Sequence, residues 1–222
     1  DPINFPILHC IVPEKKRLKN DFINLKKIEN VSIKFKPELT KKEYLSRIKK
    51  VKNHIQKGDI YETNFCYNWE AYNKINNPYI IFKKLESLTK APFSVYAEIG
   101  EYVIISASPE RFIKKRGNKL ISEPIKGTSK RSKDLDIDQK LINSLKNDPK
   151  ERAENIMIVD LVRNDLSKVA NKNSVSVDEL CEVYTFENIH QMISKVSCEI
   201  NKDMSFSQIL KALFPMGSMT GV

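Results

Sequence analysis

The chain has 222 residues, 41% of them hydrophobic, with a formal net charge of +10, enough for one large domain or two small ones around a packed core. No run reaches the ~18 apolar residues of a membrane span, and Asp1-Pro-Ile-Asn4 lacks the basic and apolar regions of a secretory signal, so a cytoplasmic protein with no membrane partner is expected. The charge attracts nucleic acid and small anions alike, but the lysines are scattered without the aromatic interleaving that stacks bases, and no nucleic-acid partner is expected. Cys10, Cys66, Cys181 and Cys198 are too dispersed for a zinc site or a redox pair and read as reduced, mostly buried thiols.

Residues 1–38 are rich in proline and lysine and read as the remnant of an N-terminal region, with residues 39–222 forming the catalytic domain. Thr40-Lys-Lys-Glu43 is a capping box, after which Tyr44, Ile48, Val51 and Ile55 recur at helical spacing until Gly58. Residues 60–69 are aromatic and β-branched enough for a strand, and proline opens a helix over 78–88. Strands are predicted at 93–99, 102–107, 111–114 and 119–122, with Gly100-Glu101 and Gly117-Asn118 as hairpin turns. Pro124-Ile-Lys126-Gly-Thr128 reads as a stiff, anion-binding turn. Helices follow over 133–145 and 151–169, short strands at 174–177 and 183–184, a long strand over 189–200, and a last helix over 205–213. Blocks of helices and mostly antiparallel strands make an α+β fold with a layered β core flanked by helices. The final Gly217-Ser-Met-Thr-Gly-Val222 stops on a turn-like sequence, so a further C-terminal segment is expected.

Four groups of residues carry chemistry. Lys126 suits a nucleophile or a charge clamp, although on its own the segment also reads as a surface turn. In Ser108-Pro-Glu-Arg-Phe112, Glu110 is either a positioned acid or a strand-end charge; because the hairpin over 111–122 returns the chain to the same end of the sheet, Glu110 and Lys126 can face one cavity. Glu151 and Glu154 lie i, i+3 on one helix face and can serve a magnesium ion, which takes one or two carboxylates and completes its shell with water and substrate; an acidic first turn favoured by the helix dipole is the plainer reading. Asp160, Arg163, Asn164 and Asp165 read as a buried structural network. His190 begins an alternating strand, and Gly217-Ser218 with Thr220-Gly221 either offer N–H groups to a carboxylate or simply cap a helix.

Taken in order, Gly58-Asp-Ile-Tyr-Glu-Thr-Asn64, Ser108 to Phe112, Pro124 to Thr128, Arg152-Ala-Glu-Asn-Ile-Met-Ile-Val-Asp-Leu-Val-Arg-Asn-Asp-Leu166, His190-Gln-Met-Ile-Ser194 and Phe214-Pro-Met-Gly-Ser-Met-Thr-Gly221 resemble the chorismate-utilising enzymes, the family of anthranilate synthase component I and aminodeoxychorismate synthase component I. The resemblance implies that chorismate is the substrate and Mg²⁺ the cofactor, with Glu154 as metal ligand and Glu151 acting through water. It implies that Glu110 exchanges a proton with the departing or attacking group, and that Gly127, Thr128, Gly217 and Ser218 contact substrate. His190 is the nearest match to a catalytic histidine that in some relatives aligns with Gln191. Lys126 discriminates within the family: anthranilate synthases carry alanine there, whereas aminodeoxychorismate synthases carry a lysine proposed to attack C2 before ammonia attacks C4. An attacking amine must be unprotonated, so burial or a neighbouring cation such as Lys130 or Arg131 is expected to favour the neutral form. Ammonia is expected from solution or from a glutamine amidotransferase subunit. The alternatives are an anthranilate synthase component I and a truncated, non-catalytic protein of the same fold.

Overall fold

The first described element is a two-residue strand, β1 (Lys36–Pro37), in a computed structural model that describes residues 33–72 and 75–221. The expected N-terminal remnant therefore lies almost wholly outside the described residues, as does Cys10. Helix α1 (Lys41–Lys57) starts and stops where the sequence dictates. Thr40 Oγ1 accepts from the Glu43 N–H at 3.3 Å and Thr40 N donates to the Glu43 carboxylate at 2.8 Å, while Gly58 closes the helix at φ 79°, a conformation glycine adopts without steric cost. Tyr44 joins α1 to the aromatic segment after it: its ring lies 5.8 Å from that of Phe65 and 5.6 Å from that of Tyr67.

The strand expected over 60–69 shrinks to β2 (Trp69–Glu70), paired with β1. The alternation is real but serves packing, since Phe65, Tyr67 and Trp69 form an aromatic row. The backbone before them bonds elsewhere: Thr63 bridges Gly221, and Asn64 N donates to Thr220 O at 3.3 Å. Helix α2 (Pro78–Thr89), capped by Asn77, sets Tyr79 and Phe82 against Tyr96 of the hairpin formed by β3 (Phe93–Ile99) and β4 (Tyr102–Ser108).

A second, five-stranded sheet carries the rest. It comprises β5 (Arg111–Arg116), β6 (Lys119–Glu123), β7 (Ile125–Lys130), β8 (Ser176–Thr185) and β9 (Ile189–Glu199), all antiparallel. Long β9 organises it: its C-terminal half pairs with β6 and its N-terminal half with β7 along one edge, while β8 takes the other. The two short strands expected at 174–177 and 183–184 are one strand. Register shifts around Glu179 and a positive φ of 55° at Cys181 break the period-two pattern in between, which hides the continuity from sequence.

Helices α3 (Leu135–Asn147) and α4 (Pro149–Ser167) share Asp148, the C-cap of one and the N-cap of the other; its carboxylate accepts from Lys150 N and Glu151 N at 2.9 and 3.0 Å. Ile158, Val159, Val162 and Leu166 of α4 pack on Leu120, Val196, Cys198 and Ile200 of the sheet. Helix α5 (Phe206–Leu213), with its Ser205 capping box, closes this core through Ile209 and Leu213. Each such fully buried aliphatic contributes about 1.5–3 kcal/mol as an upper bound, so the α4–sheet layer is the rigid base of the molecule. The short α6 (Gly217–Thr220) ends the described chain. The helices and mostly antiparallel sheets form the expected α+β architecture. Among the described residues no helix is long and apolar enough to cross a membrane.

Candidate active site

Lys126 stands on strand β7, not in a turn. The strand is bulged between Ile125 and Thr128, because Gly127 takes φ +96°, a backbone state costly for other residues. A Cβ at Gly127 would lie 3.2 Å from Glu151 Oε2 and 3.2 Å from Met192 Cβ, so the missing side chain is what lets the start of α4 close on the strand. On the neighbouring turn of α4, Asn155 Nδ2 donates to Lys126 O at 3.3 Å. The lysine is thus held by its backbone from α4, and its Nζ donates to Glu62 Oε1 at 2.9 Å, with both side chains about a quarter exposed (24% and 25%). The charged partner of Nζ is a carboxylate rather than the expected cation. Arg131 is tied instead to Asp138 and to Phe186 O, and Lys130 is exposed.

Glu110 follows β4 and the Ser108-Pro109 corner, where its N–H donates to Ser108 Oγ at 3.3 Å. Its Oε1 accepts from Ile125 N at 3.4 Å. Burial pushes its carboxyl above the usual range, opposed by that N–H and by the charge of Lys126, so its acid form is favoured relative to a surface glutamate. Glu110 and Lys126 share a cleft of about 420 Å³ whose walls include Asn64, Ile125, Ile158 and Ser218. An acid, an amine and a hydroxyl therefore converge on one space, which is the minimum needed for proton transfer and nucleophilic attack. A larger groove of about 680 Å³ runs along α4, but Ile156, Met157 and Leu161 dominate its walls and Asp160 is its one titratable group. It offers no converging chemistry.

The other predicted residues are spread more widely. Glu151 lies against Gly127, and Glu154 is one turn along, loosely paired with Lys150 at 3.7 Å. Among the described residues no group of three or more His, Cys, Asp and Glu could hold a metal. Two carboxylates in the first turns of α4, beside a strand that carries no side chain at Gly127, nevertheless fit a hard cation that draws its remaining oxygen ligands from water and substrate. Thr128 is exposed and pairs with Gln191 across β7 and β9. Ser218 lines the cleft, whereas the Gly217 N–H is already spent on Asp165 Oδ2 at 2.9 Å.

His190 does not line the cleft. It is fully buried (0% exposed), with Nε2 2.9 Å from Asp138 Oδ1 and Nδ1 2.9 Å from Thr185 Oγ1. A carboxylate only accepts, so Nε2 carries a proton, and both ring nitrogens are engaged in holding β9, β8 and α3 together. Asp138, also bound by Arg131 and the Ser132 N–H, is held well below the usual carboxylate range, with Arg131 the main cause. The network expected on α4 is also smaller than predicted. Asp165 is buried, but Asp160 and Arg163 form an exposed ion pair and Asn164 is exposed, because these three lie opposite the stripe that meets the sheet.

Sequence reasoning assigns no role to two residues of this region: Glu62, inside the Gly58 to Asn64 motif, and Asn155, between the candidate metal ligand and the buried stripe. Asn155 is 1% exposed. Its Nδ2 also donates to Met192 O at 3.3 Å, and its Oδ1 accepts from Ser194 Oγ and from Cys181 Sγ at 3.6 Å. No sequence signal singles it out, because α4 carries apolar residues on nearly every side.

The profile of a family described as chorismate binding enzyme matches residues 13–222. Aminodeoxychorismate synthase component 1 of Klebsiella aerogenes is 35% identical over 187 residues, 84% of this chain and 41% of that protein. The protein of the same name from Escherichia coli K12 is 36% identical over 183 residues, 82% of this chain and 40% of its own length. Among solved structures, anthranilate synthase component I from Streptococcus pneumoniae TIGR4 superposes with a TM-score of 0.73 at 26% identity, covering 84% of this chain and 41% of that one. The chain spans about two-fifths of the length of these relatives.

Proposed function

The chain belongs to the family of chorismate-binding enzymes, and on that footing we propose that it aminates chorismate at C4 to give 4-amino-4-deoxychorismate and water. The observation that supports this reading is Lys126, an amine lining the same cleft as Glu110 at the position where anthranilate synthases resemble this chain but carry alanine. The 35% and 36% identity to proteins named aminodeoxychorismate synthase component 1 points the same way.

In the proposed course the Lys126 amine bonds to C2 as the C4–O bond breaks, and Glu110 delivers its proton to the departing hydroxyl, which leaves as water. Ammonia then bonds to C4, the bond between C2 and Lys126 breaks, and the extra proton returns to the site. The burial that favours protonated Glu110 suits it to the first of these transfers. Ser218, on the cleft wall, and the Gly127-Thr128 bulge would contact substrate. Glu154, with Glu151 through water, would hold a magnesium ion, which when bound neutralises the ring carboxylate of chorismate. Ammonia is drawn from solution or from a glutamine amidotransferase partner.

The test is incubation of the full-length protein with chorismate, Mg²⁺ and an ammonium salt, followed by chromatographic identification of the product. Aminodeoxychorismate is expected; anthranilate from the unmodified protein, or no turnover, overturns the reading. Lys126→Ala is expected to abolish aminodeoxychorismate formation or divert it to anthranilate. Full retention of amination at C4 excludes the covalent role.

A further inference from the structure

We propose that Glu62 is a second acid–base residue of this site: its carboxylate removes the proton that Lys126 Nζ must lose before the amine attacks. The inference rests on the reading of Lys126 as nucleophile and assigns a step that reading leaves without a residue. An ammonium has no lone pair, so a proton must move from Nζ to an acceptor before the bond to C2 forms. Glu62 Oε1 stands 2.9 Å from Nζ, within the reach required of a general base, and it is the carboxylate that accepts a hydrogen bond from Nζ among the described residues.

Three features separate this pair from an ordinary surface salt bridge. Both side chains are about three-quarters covered, as in the pair of Arg111 and Glu123 but unlike the pair of Lys150 and Glu154, which is 3.7 Å apart with the lysine 76% exposed. The backbone that presents Glu62 is fixed rather than trailing: Thr63 bridges Gly221, and Asn64 Nδ2 donates to Met219 O at 2.6 Å. Finally, Lys126 has two carboxylates of unlike surroundings nearby, Glu62 at its Nζ and Glu110 in the shared cleft. Burial raises the Glu110 carboxyl above the usual range, while Glu62 accepts a hydrogen bond from the ammonium and is its charge partner. Glu62 is the one in hydrogen-bond contact with the amine and so is placed to take its proton, which leaves Glu110 to serve the leaving group. Lys126-NH₃⁺ and Glu62-COO⁻ give the free amine and Glu62-COOH, the amine bonds to C2 as the C4–O bond breaks, and Glu110 supplies the proton for the leaving hydroxyl.

In the full-length protein, with chorismate, Mg²⁺ and ammonium chloride, Glu62→Gln is expected to lower kcat by about 10²–10⁴-fold while KM for chorismate stays within roughly threefold. Glu62→Ala is expected to fall similarly and to regain at least roughly tenfold on addition of sodium formate, a small carboxylate that can take the proton from the vacated space. The Gln variant, with that space filled, should not respond. Glu62→Asp, slowed but folded, carries the test if the Gln variant does not fold, as judged by thermal melting. Unchanged kcat in these variants, a rise in KM alone, or no formate response overturns the role of Glu62. If unmodified protein makes no aminodeoxychorismate, or Lys126→Ala still makes it, the reading of the whole site falls and this inference with it. If both of those results hold and only the Glu62 results fail, the nucleophile stands and its proton goes elsewhere.

Discussion

A carboxyl group turned away from water beside an amine serves reactivity at the expense of the fold, and Glu110 is placed in that conflict. Burial raises its pKa in the folded protein, outweighing the Ile125 N–H and the Lys126 charge. The folded state therefore binds this proton more readily than the unfolded chain. Its favourable contribution is complete below the ordinary carboxylate range, around pH 4, and is lost as the pH rises through the higher folded value. Where the carboxyl is ionised, its buried charge is a burden. Glu110→Gln, which keeps the acceptor for Ile125 N and removes the charge, is expected to melt at a higher temperature than the parent at pH 7, with the gap closing as the pH falls towards 4, while kcat drops by about 10²–10⁴-fold. Calorimetry at the two pH values checks the first expectation and product formation the second; a lower Tm at pH 7 would show that the charge is needed to hold the cleft. The proximity of Glu110 to Lys126 was legible in the sequence, because a hairpin of readable length joins them. Glu62 was not, since it stands 64 residues before Lys126 on an irregular segment whose aromatic alternation imitates a strand.

Helix α4 shows why element boundaries can be read when element faces cannot. The helix read over 151–169 runs from Pro149 to Ser167, because Asp148 caps it and Pro149 opens its first turn. Its sequence is apolar on nearly every side, however, with Ile156, Met157 and Leu161 off the buried stripe, so periodicity does not single out the face that meets the sheet. Polar residues embedded in such a helix invite one common explanation, yet Asn155 and Asp165 point inward and Asp160, Arg163 and Asn164 outward. Asn155 joins α4 to two strands by using both its donors and its acceptor oxygen. It thereby fixes the Lys126 backbone one turn away from Glu151. Leucine has the same side-chain branching and number of heavy atoms, though a larger volume, and can make none of these bonds. Asn155→Leu is expected to cost about 1–3 kcal/mol for each buried group left without a partner, lowering the urea midpoint at unchanged m-value, and to reduce amination in the protein that remains folded. A variant with parental stability and activity would show that packing alone sets the distance between α4 and β7.

At the scale of the molecule, the site belongs to no single stretch of chain. It is assembled from Glu62 to Asn64, Glu110, the β7 bulge, the first turns of α4 and the Gly217 to Gly221 segment, and the α4–sheet core supports only part of these directly. The early strap and the final segment are joined by backbone and side-chain bonds: Thr63 pairs with Gly221, Asn64 N and Thr63 Oγ1 both donate to Thr220 O at 3.3 Å, and Asn64 Nδ2 donates to Met219 O. Sequence shows both segments as motifs but cannot show that they touch, since residues 157 positions apart meet through irregular structure. Gly221 is where this closure is most exposed to substitution. A Cβ there would overlap the Glu62 carbonyl oxygen and lie 2.6 Å from Thr63 Cα, and the residue sits at φ +99°, so both strain and backbone collision oppose any larger residue. Because the obstructing atoms are backbone, no side-chain rotation relieves them, and the strap that presents Glu62 must move. Gly221→Ala is expected to lower stability by about 1–3 kcal/mol and, by separating Glu62 from Lys126, to reduce amination at C4 more than chorismate binding. Urea denaturation and a comparison of kcat with KM check the two parts. Parental values for both would mean that the strap and the final segment close the cleft independently, and that Glu62 owes its place to the Lys126 ion pair alone.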